Sequence, residues 1–537
     1  MKLLCAALVL VPSLAIAQEH AMPMPAPAPV SLEAGLGNLH HPVSTKNSQA
    51  QQFFDQGLRY VYAFNHDQAV QSFNRAGELD PNLAIAWWGA ALALGPNINM
   101  DVDPDREKQA YDAVHTAMSK GEHASQKEND MIATLAKRYS NDPGADLKKL
   151  AVDYSVAMSE LSKKYPNDLD IATLYAESLM DLHPWKFWSH DGQPNEGTLE
   201  ILRVLESVLK RDPNHMGANH YYIHATEASP DPEKALPSAK RLTTLAPSAG
   251  HLVHMPAHTF QRTGNYKGAA AANVAGAHAD RAFMKKYGNE NLYSAMYFNH
   301  NLDFGAASYA MIGDYANARK LADEVSANAV NLIKMLGDLE VMTSDSMKVS
   351  VRFNKWADVL KMPEAAGPMS TMFRHFARGS AFAVAGNVAG AETEQKLMEK
   401  TRASLAESNM ALQNTPGDVA KVASELLAGR IAEAKGDRDA AIAAYQRAVA
   451  AQDALYYDEP ADWFYPVRET LGGALLRAGK PAEAEAVFRE DLKRTPNNPR
   501  SLFGLSEALK AQKKPSAKYA QSFKQAWKGG KLSARDL

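Results

Sequence analysis

Small, apolar and aromatic residues recur along this chain with a period of about 34, which confines it to stacked helix pairs. In residues 50–83, Phe53, Gly57, Tyr60, Ala69, Phe73, Ala76 and Pro81 hold positions 4, 8, 11, 20, 24, 27 and 32 of the unit. The small residues let two antiparallel helices approach closely, and the aromatics fill the space between them. Asp80-Pro81 stops the second helix, because proline donates no backbone hydrogen bond and disfavours helical geometry in the residue before it. The same register returns in units beginning at 216, 250, 299, 422 and 465, and a degenerate unit from 499 (Leu505, Ala520, Phe523) reads as a cap. Each unit buries its apolar stripe only against its neighbours. The predicted fold is therefore an all-α solenoid of antiparallel helix pairs with a concave groove. Residues 100–165 and 333–421 read as helical but fit the register poorly.

The start of the chain carries a targeting pattern. Lys2 is followed by an apolar run to about Leu14 and by Ala15-Ile16-Ala17, an A-x-A cleavage signature. That run is too short for a transmembrane anchor. The expected mature chain begins at Gln18, in the periplasm or outside the cell. Cys5, the single cysteine, lies in the leader, which leaves no disulfide framework, cysteine zinc site or cysteine nucleophile. Residues 18–47 read as an extended Pro-rich arm. Its His20, Met22 and Met24 make a poor chelator on so flexible a tract. The remaining divisions are 48–332, the N-terminal and central solenoid; 333–421, helical and out of register; and 422–537, the C-terminal units and cap. Lys and Arg total 58 against 61 Asp and Glu, so no basic excess points to nucleic acid. No GxSxG, GxGxxG or P-loop occurs, which argues against a serine hydrolase, a Rossmann site or an NTPase.

The repeating units resemble the tetratricopeptide repeat. The chain also resembles a set of exported bacterial tetratricopeptide proteins, through HHPVSTK at 40–46, YAFNHD at 62–67, GPNIN at 95–99, HPWKFW at 183–188, HYYIHATEASP and GHLVHMPAH. That resemblance implies the fold and an envelope location, and little chemistry. Concave faces of such repeats commonly bind peptides, so a peptide or envelope protein is the partner the resemblance implies.

Ten of the 17 histidines fall between residues 183 and 300. In tetratricopeptide repeats, first-helix positions 2, 5, 9, 12 and 13 face the groove. His220, His224 and Glu227 then hold positions 5, 9 and 12 of one unit. His251, His254, His258 and Arg262 hold positions 2, 5, 9 and 13 of the next, and His300 and Asp303 positions 2 and 5 of a third. Histidines four apart sit one turn apart on one face. Two such pairs on adjacent helices can surround a divalent transition metal, zinc or copper being suited to imidazole. Three protein ligands with an open fourth position would serve catalysis, with Glu227 as fourth ligand or general base.

Three functions stay open at this stage. One is a metal-binding protein; the second is a peptide-binding scaffold whose histidines only donate hydrogen bonds, with Tyr221 among their neighbours; the third is a metal-dependent hydrolase. HYYIH lacks the Glu of an HExxH protease. Pro256 either kinks its helix or opens a new one near Met255, which would leave His251 in a loop. Asp181–Gly197 interrupts the repeat as an ordered loop, and Trp185 and Trp188 are candidates to cover the groove. Asp101–Asp105 reads as an acidic helix start rather than a calcium loop.

Overall fold

The computed structural model describes residues 30–288, 293–333, 337–405 and 413–537. The leader at 1–17 and the His20, Met22 and Met24 tract lie outside them. Among the described residues the chain is helical, with only two isolated bridges, Asn97 with Met100 and Trp188 with Pro194. No helix among them is long and apolar enough to cross a membrane.

The repeat register sets the helix pairs. Ser48–Tyr62 and His66–Leu79 form the first pair, and Asp80 caps the second helix ahead of Pro81. Met216–Glu227 pairs with Leu236–Leu245, Asn299–Ile312 with Tyr315–Leu332, Pro416–Ala434 with Arg438–Asp453, and Val467–Arg477 with Pro481–Arg494. Pro499–Ala511 and Ala517–Ala526 close the array. Close approach explains the spacing. A Cβ on Gly57 would lie 2.7 Å from the Phe73 ring, and one on Gly472 would lie 2.3 Å from the Phe488 ring. The small residue at position 8 thus accepts the face of the aromatic at position 24. Asp103 caps the Pro104–Ser119 helix by accepting from the Arg106 N–H, which is the acidic helix start expected of that segment.

Two large apolar cores follow one another along the solenoid. The first gathers buried residues from Leu36 to Tyr297 and the second from Val341 to Leu537. A smaller cluster from Ala277 to Val349 lies between them. The C-terminal units also return to the middle of the chain: the Tyr266 hydroxyl donates to the Pro496 carbonyl at 2.7 Å, and the Lys528 N–H to the Ile312 carbonyl at 2.7 Å. Arg262 lies over the Tyr457 ring, 5.4 Å from its centroid. The chain's own 455–465 loop therefore lies against the concave side at Arg262 and His258.

Candidate metal centre

Three first helices carry the histidines. His215 caps the Met216–Glu227 helix, its Nδ1 accepting from the Ala218 N–H at 3.1 Å, and the helix then places His220 and His224 one turn apart. Pro256 divides the next first helix into Gly250–His254 and Pro256–Arg262. Met255 between them keeps helical angles (φ −47, ψ −35). His251 accordingly lies in a helix, not in a loop, and shares one side with His254 and His258. The Tyr266–Tyr287 helix approaches closely at Gly276, where a Cβ would meet that of His254 at 2.9 Å. His300 opens the Asn299–Ile312 helix just after a π-helical turn at Ser294–Phe298. Such turns are frequent at functional sites.

The six histidines form two triads. In each of His220, His224, His251 and His254, His258, His300, one ring nitrogen per residue lies within 4.8 Å of the other two. Within the first, His220 Nε2 is 3.1 Å from His251 Nε2. Within the second, His254 Nε2 is 2.9 Å from His258 Nε2 and 3.2 Å from His300 Nε2. Five of the six are at most 2% exposed and His300 is half-buried.

Acceptors behind the rings fix which nitrogen carries hydrogen. His220 Nδ1 donates to the Tyr62 carbonyl at 2.7 Å, and His254 Nδ1 to Asn273 Oδ1 at 2.6 Å. Glu227 serves both triads: its Oε1 is 2.9 Å from His224 Nδ1 and its Oε2 is 2.6 Å from His258 Nδ1. A neutral imidazole that donates through Nδ1 keeps a lone pair on Nε2. The Nε2 lone pair of His254 therefore faces the Nε2 of His258. His224 Nε2 is buried with no hydrogen-bond partner. Converging imidazole nitrogens are the donor type that transition metals take, and three of the six rings, His220, His224 and His254, are aimed by an acceptor on the far side.

Electrostatics keep most of the rings neutral. Burial, followed by neighbouring imidazoles, pushes His220, His251 and His254 well below the usual histidine value, and His300 down to about 3. Burial also lowers His224 against the pull of Glu227. His258 is the exception, because Glu227 outweighs burial and raises it. Burial works to raise Glu227, yet His258 and His224 hold it at about 2.

Aromatic side chains wall the first triad. Phe64 lies 4.6, 6.0 and 5.3 Å from the rings of His220, His224 and His251, and Trp185 meets His224 edge-on at 5.2 Å. Both have left-handed backbones, φ 58 at Phe64 and φ 63 at Trp185. Bulky residues adopt that conformation at a cost, and such strain clusters at functional sites. Tyr297 covers His251 at 4.6 Å.

The other expected residues are less directly placed. Tyr221 is buried in the core against Tyr62 and Phe64. Trp188 donates to the Ala225 carbonyl at 2.8 Å, pinning the loop to the histidine helix. Arg262 donates to the Glu227 and Ser229 carbonyls at 2.8 and 3.2 Å. Both oxygens of Glu227 face histidine Nδ1 atoms, so Glu227 orients rings and does not stand as a free base. Asp303, one turn beyond His300, joins an acidic cluster of the buried Asp345 and Asp462 and the half-buried Asp458 and Glu459. Burial pushes Glu459 up to about 7, against His258 and Arg262. Burial and mutual repulsion raise Asp303 and Asp458. Lys348 donates to Asp345 at 2.8 Å, and Asn414 to Asp462 at 2.6 Å.

Sequence reasoning did not single out Tyr62, Phe64, Asn273, Tyr297 or Glu459. Two of these lie in YAFNHD, one of the quoted motifs, and the other motifs lead to the same place. Asn99 of GPNIN donates to the Tyr297 hydroxyl at 3.2 Å. His41 of HHPVSTK binds Asp170 at 2.7 Å, which also accepts from the Tyr62 hydroxyl at 2.8 Å.

Residues 426–454 match the family model of the tetratricopeptide repeat. That match falls on the Pro416–Ala434 and Arg438–Asp453 pair. Solved structures similar to the chain include the human IFIT1 dimer with m7Gppp-AAAA, at 12% identity over 90% of this chain and 91% of that one, TM-score 0.33. Yeast Tom70 is another, at 12% identity over 87% and 96%, TM-score 0.32. No curated protein matches the chain. The tetratricopeptide architecture stands on the matched repeat and on the helix pairs themselves.

Proposed function

We propose that this protein is an exported tetratricopeptide-repeat protein that binds a divalent transition metal, zinc or copper, through buried histidines inside its solenoid. One observation carries the reading. Ring nitrogens of three histidines converge within 4.8 Å in each triad, and the Nδ1–H groups of His220, His224 and His254 donate outward, which leaves their Nε2 lone pairs free. Three imidazoles suit zinc, copper or nickel. A peptide scaffold with hydrogen-bonding histidines would present them to solvent, and these are buried. Hydrolysis is the weaker reading, since Glu227 is committed to two rings. A peptide or envelope protein as partner is favoured by the tetratricopeptide match at 426–454, and it would dock elsewhere than on the histidines.

The experiment is elemental analysis of the chain purified from the cell envelope. Metal is expected in the wild type and is expected to fall below about a tenth of that content when His224→Ala and His258→Ala are combined, one ligand from each triad. Circular dichroism should still report a helical fold. Unchanged metal in that variant would refute the assignment. The intact mass of the same material reads the leader: a chain starting at Gln18 supports export, and a retained Met1 opposes it.

A further inference from the structure

We propose that the site takes two metal ions per chain, one in each histidine triad, as a dinuclear centre held together by Glu227. This rests on the metal reading above and adds to it the number and arrangement of the ions.

The donors fall into two sets of three, not one set of six. Between the sets, the His224 and His258 rings are 5.8 Å apart and the His251 and His254 rings 5.7 Å. Metal–imidazole bonds are about 2.0–2.1 Å long. One ion therefore reaches one triad and leaves the converging ring nitrogens of the other, 2.9–3.2 Å apart in the second triad, without an ion. Two ions satisfy both.

Glu227 links the sets. One carboxylate oxygen aims His224 of the first triad and the other aims His258 of the second. A shift of either ring on binding moves the carboxylate, and with it the opposite ring. A lone mononuclear site would need only one such contact.

The test uses the full chain, stripped with a chelator and titrated with Zn(II). Native mass spectrometry and elemental analysis are expected to give two ions per chain. His220→Ala with His224→Ala should keep one ion, and His254→Ala with His300→Ala should keep the other. Cu(II) loaded into the unmodified chain gives a second readout independent of any variant's folding. A single-ion spectrum is expected below one equivalent, and dipolar broadening with a half-field transition at two. Saturation at one ion, or two equivalents of Cu(II) without coupling, would overturn the dinuclear centre while leaving metal binding intact. A wild-type chain that binds no metal would overturn both readings.

Discussion

Glu227 has both oxygens occupied, and that governs what its replacement does. In Glu227→Gln, the amide oxygen can still accept from one histidine Nδ1–H, but the NH2 group meets the other donor to donor. One ring then loses its aim. Removing a partner of this kind typically costs tenfold to a hundredfold in metal affinity. That is the fall expected for Glu227→Gln in competition with a chromophoric chelator, with the helical signal kept. A second residue gives a pH dependence. Asp280 accepts from the Tyr293 hydroxyl at 2.8 Å and from Asn301 Nδ2 at 2.6 Å, and burial pushes its carboxyl from 3.8 up to about 7. Between those values the folded chain holds a proton that the unfolded chain has released. Stability contributed by this group is thus present at low pH and lost as pH rises through about 7, on the order of 4 kcal/mol in all. Asp280→Asn removes the titration. Its NH2 can donate to Asn301 once that amide turns over, since Asn301 Oδ1 has no other partner. Thermal melts from pH 4 to 8 should show a flatter profile for the variant, and an unchanged slope would contradict the raised carboxyl.

At the scale of elements, the register located helix pairs wherever a small residue at position 8 meets an aromatic at 24. Gly57 with Phe73 and Gly472 with Phe488 are legible because that contact is local. The Pro368–Val384 and Val388–Ser404 pair keeps the 12-residue spacing in Gly379 and Ala391, with Gln395 where Phe73 and Phe488 stand in the clearest units. The histidine cluster was legible for the same reason as the helices: four-residue spacing is a property of one helix, and the unit register aligned three helices. Their division into two triads was not, because it depends on rotamers and on acceptors such as Tyr62 and Asn273 contributed by other units. Loops carried still less signal. Phe64 and Trp185 owe their places to left-handed backbone angles that bulky residues rarely adopt, and nothing in local propensity announces them. The 183–197 segment was readable as an ordered loop. That Trp185 meets His224, while Trp188 anchors to Ala225, follows only from the three-dimensional path.

At the scale of the molecule, the chain's return on itself decides what the concave side can admit. Some 200 residues separate His258 from Glu459 in sequence. No periodicity brings them together. One buried ion pair helps to hold the return. Arg352, at the end of the Asp345–Arg352 helix, donates to Glu469 Oε1 at 2.9 Å and also to Oε2; Asn498 donates to Oε1 at 2.8 Å, and Arg500 to the Arg352 carbonyl at 2.8 Å. Arg352 and Glu469 are 4% and 1% exposed. Glu469→Ala leaves a buried guanidinium without its counter-ion, which costs roughly 3–5 kcal/mol. The double variant Arg352→Met with Glu469→Leu removes both charges and should recover part of that loss, because an apolar pair of similar volume often replaces a buried ion pair without penalty, while Arg500, 4.0 Å from Glu469 Oε2, still loses its carboxylate. The consequence reaches the histidines. Glu469 lies in the Val467–Arg477 helix, and the 457–462 loop that brings Glu459 and Tyr457 against His258 and Arg262 leads into it. Loosening that helix loosens the cover over the second triad. Glu469→Ala is therefore expected to lower the melting temperature and to speed removal of bound metal by a chelator, and the double variant to restore both in part. A large drop in melting temperature with an unchanged stripping rate would show that the C-terminal units stabilise the solenoid without gating its centre.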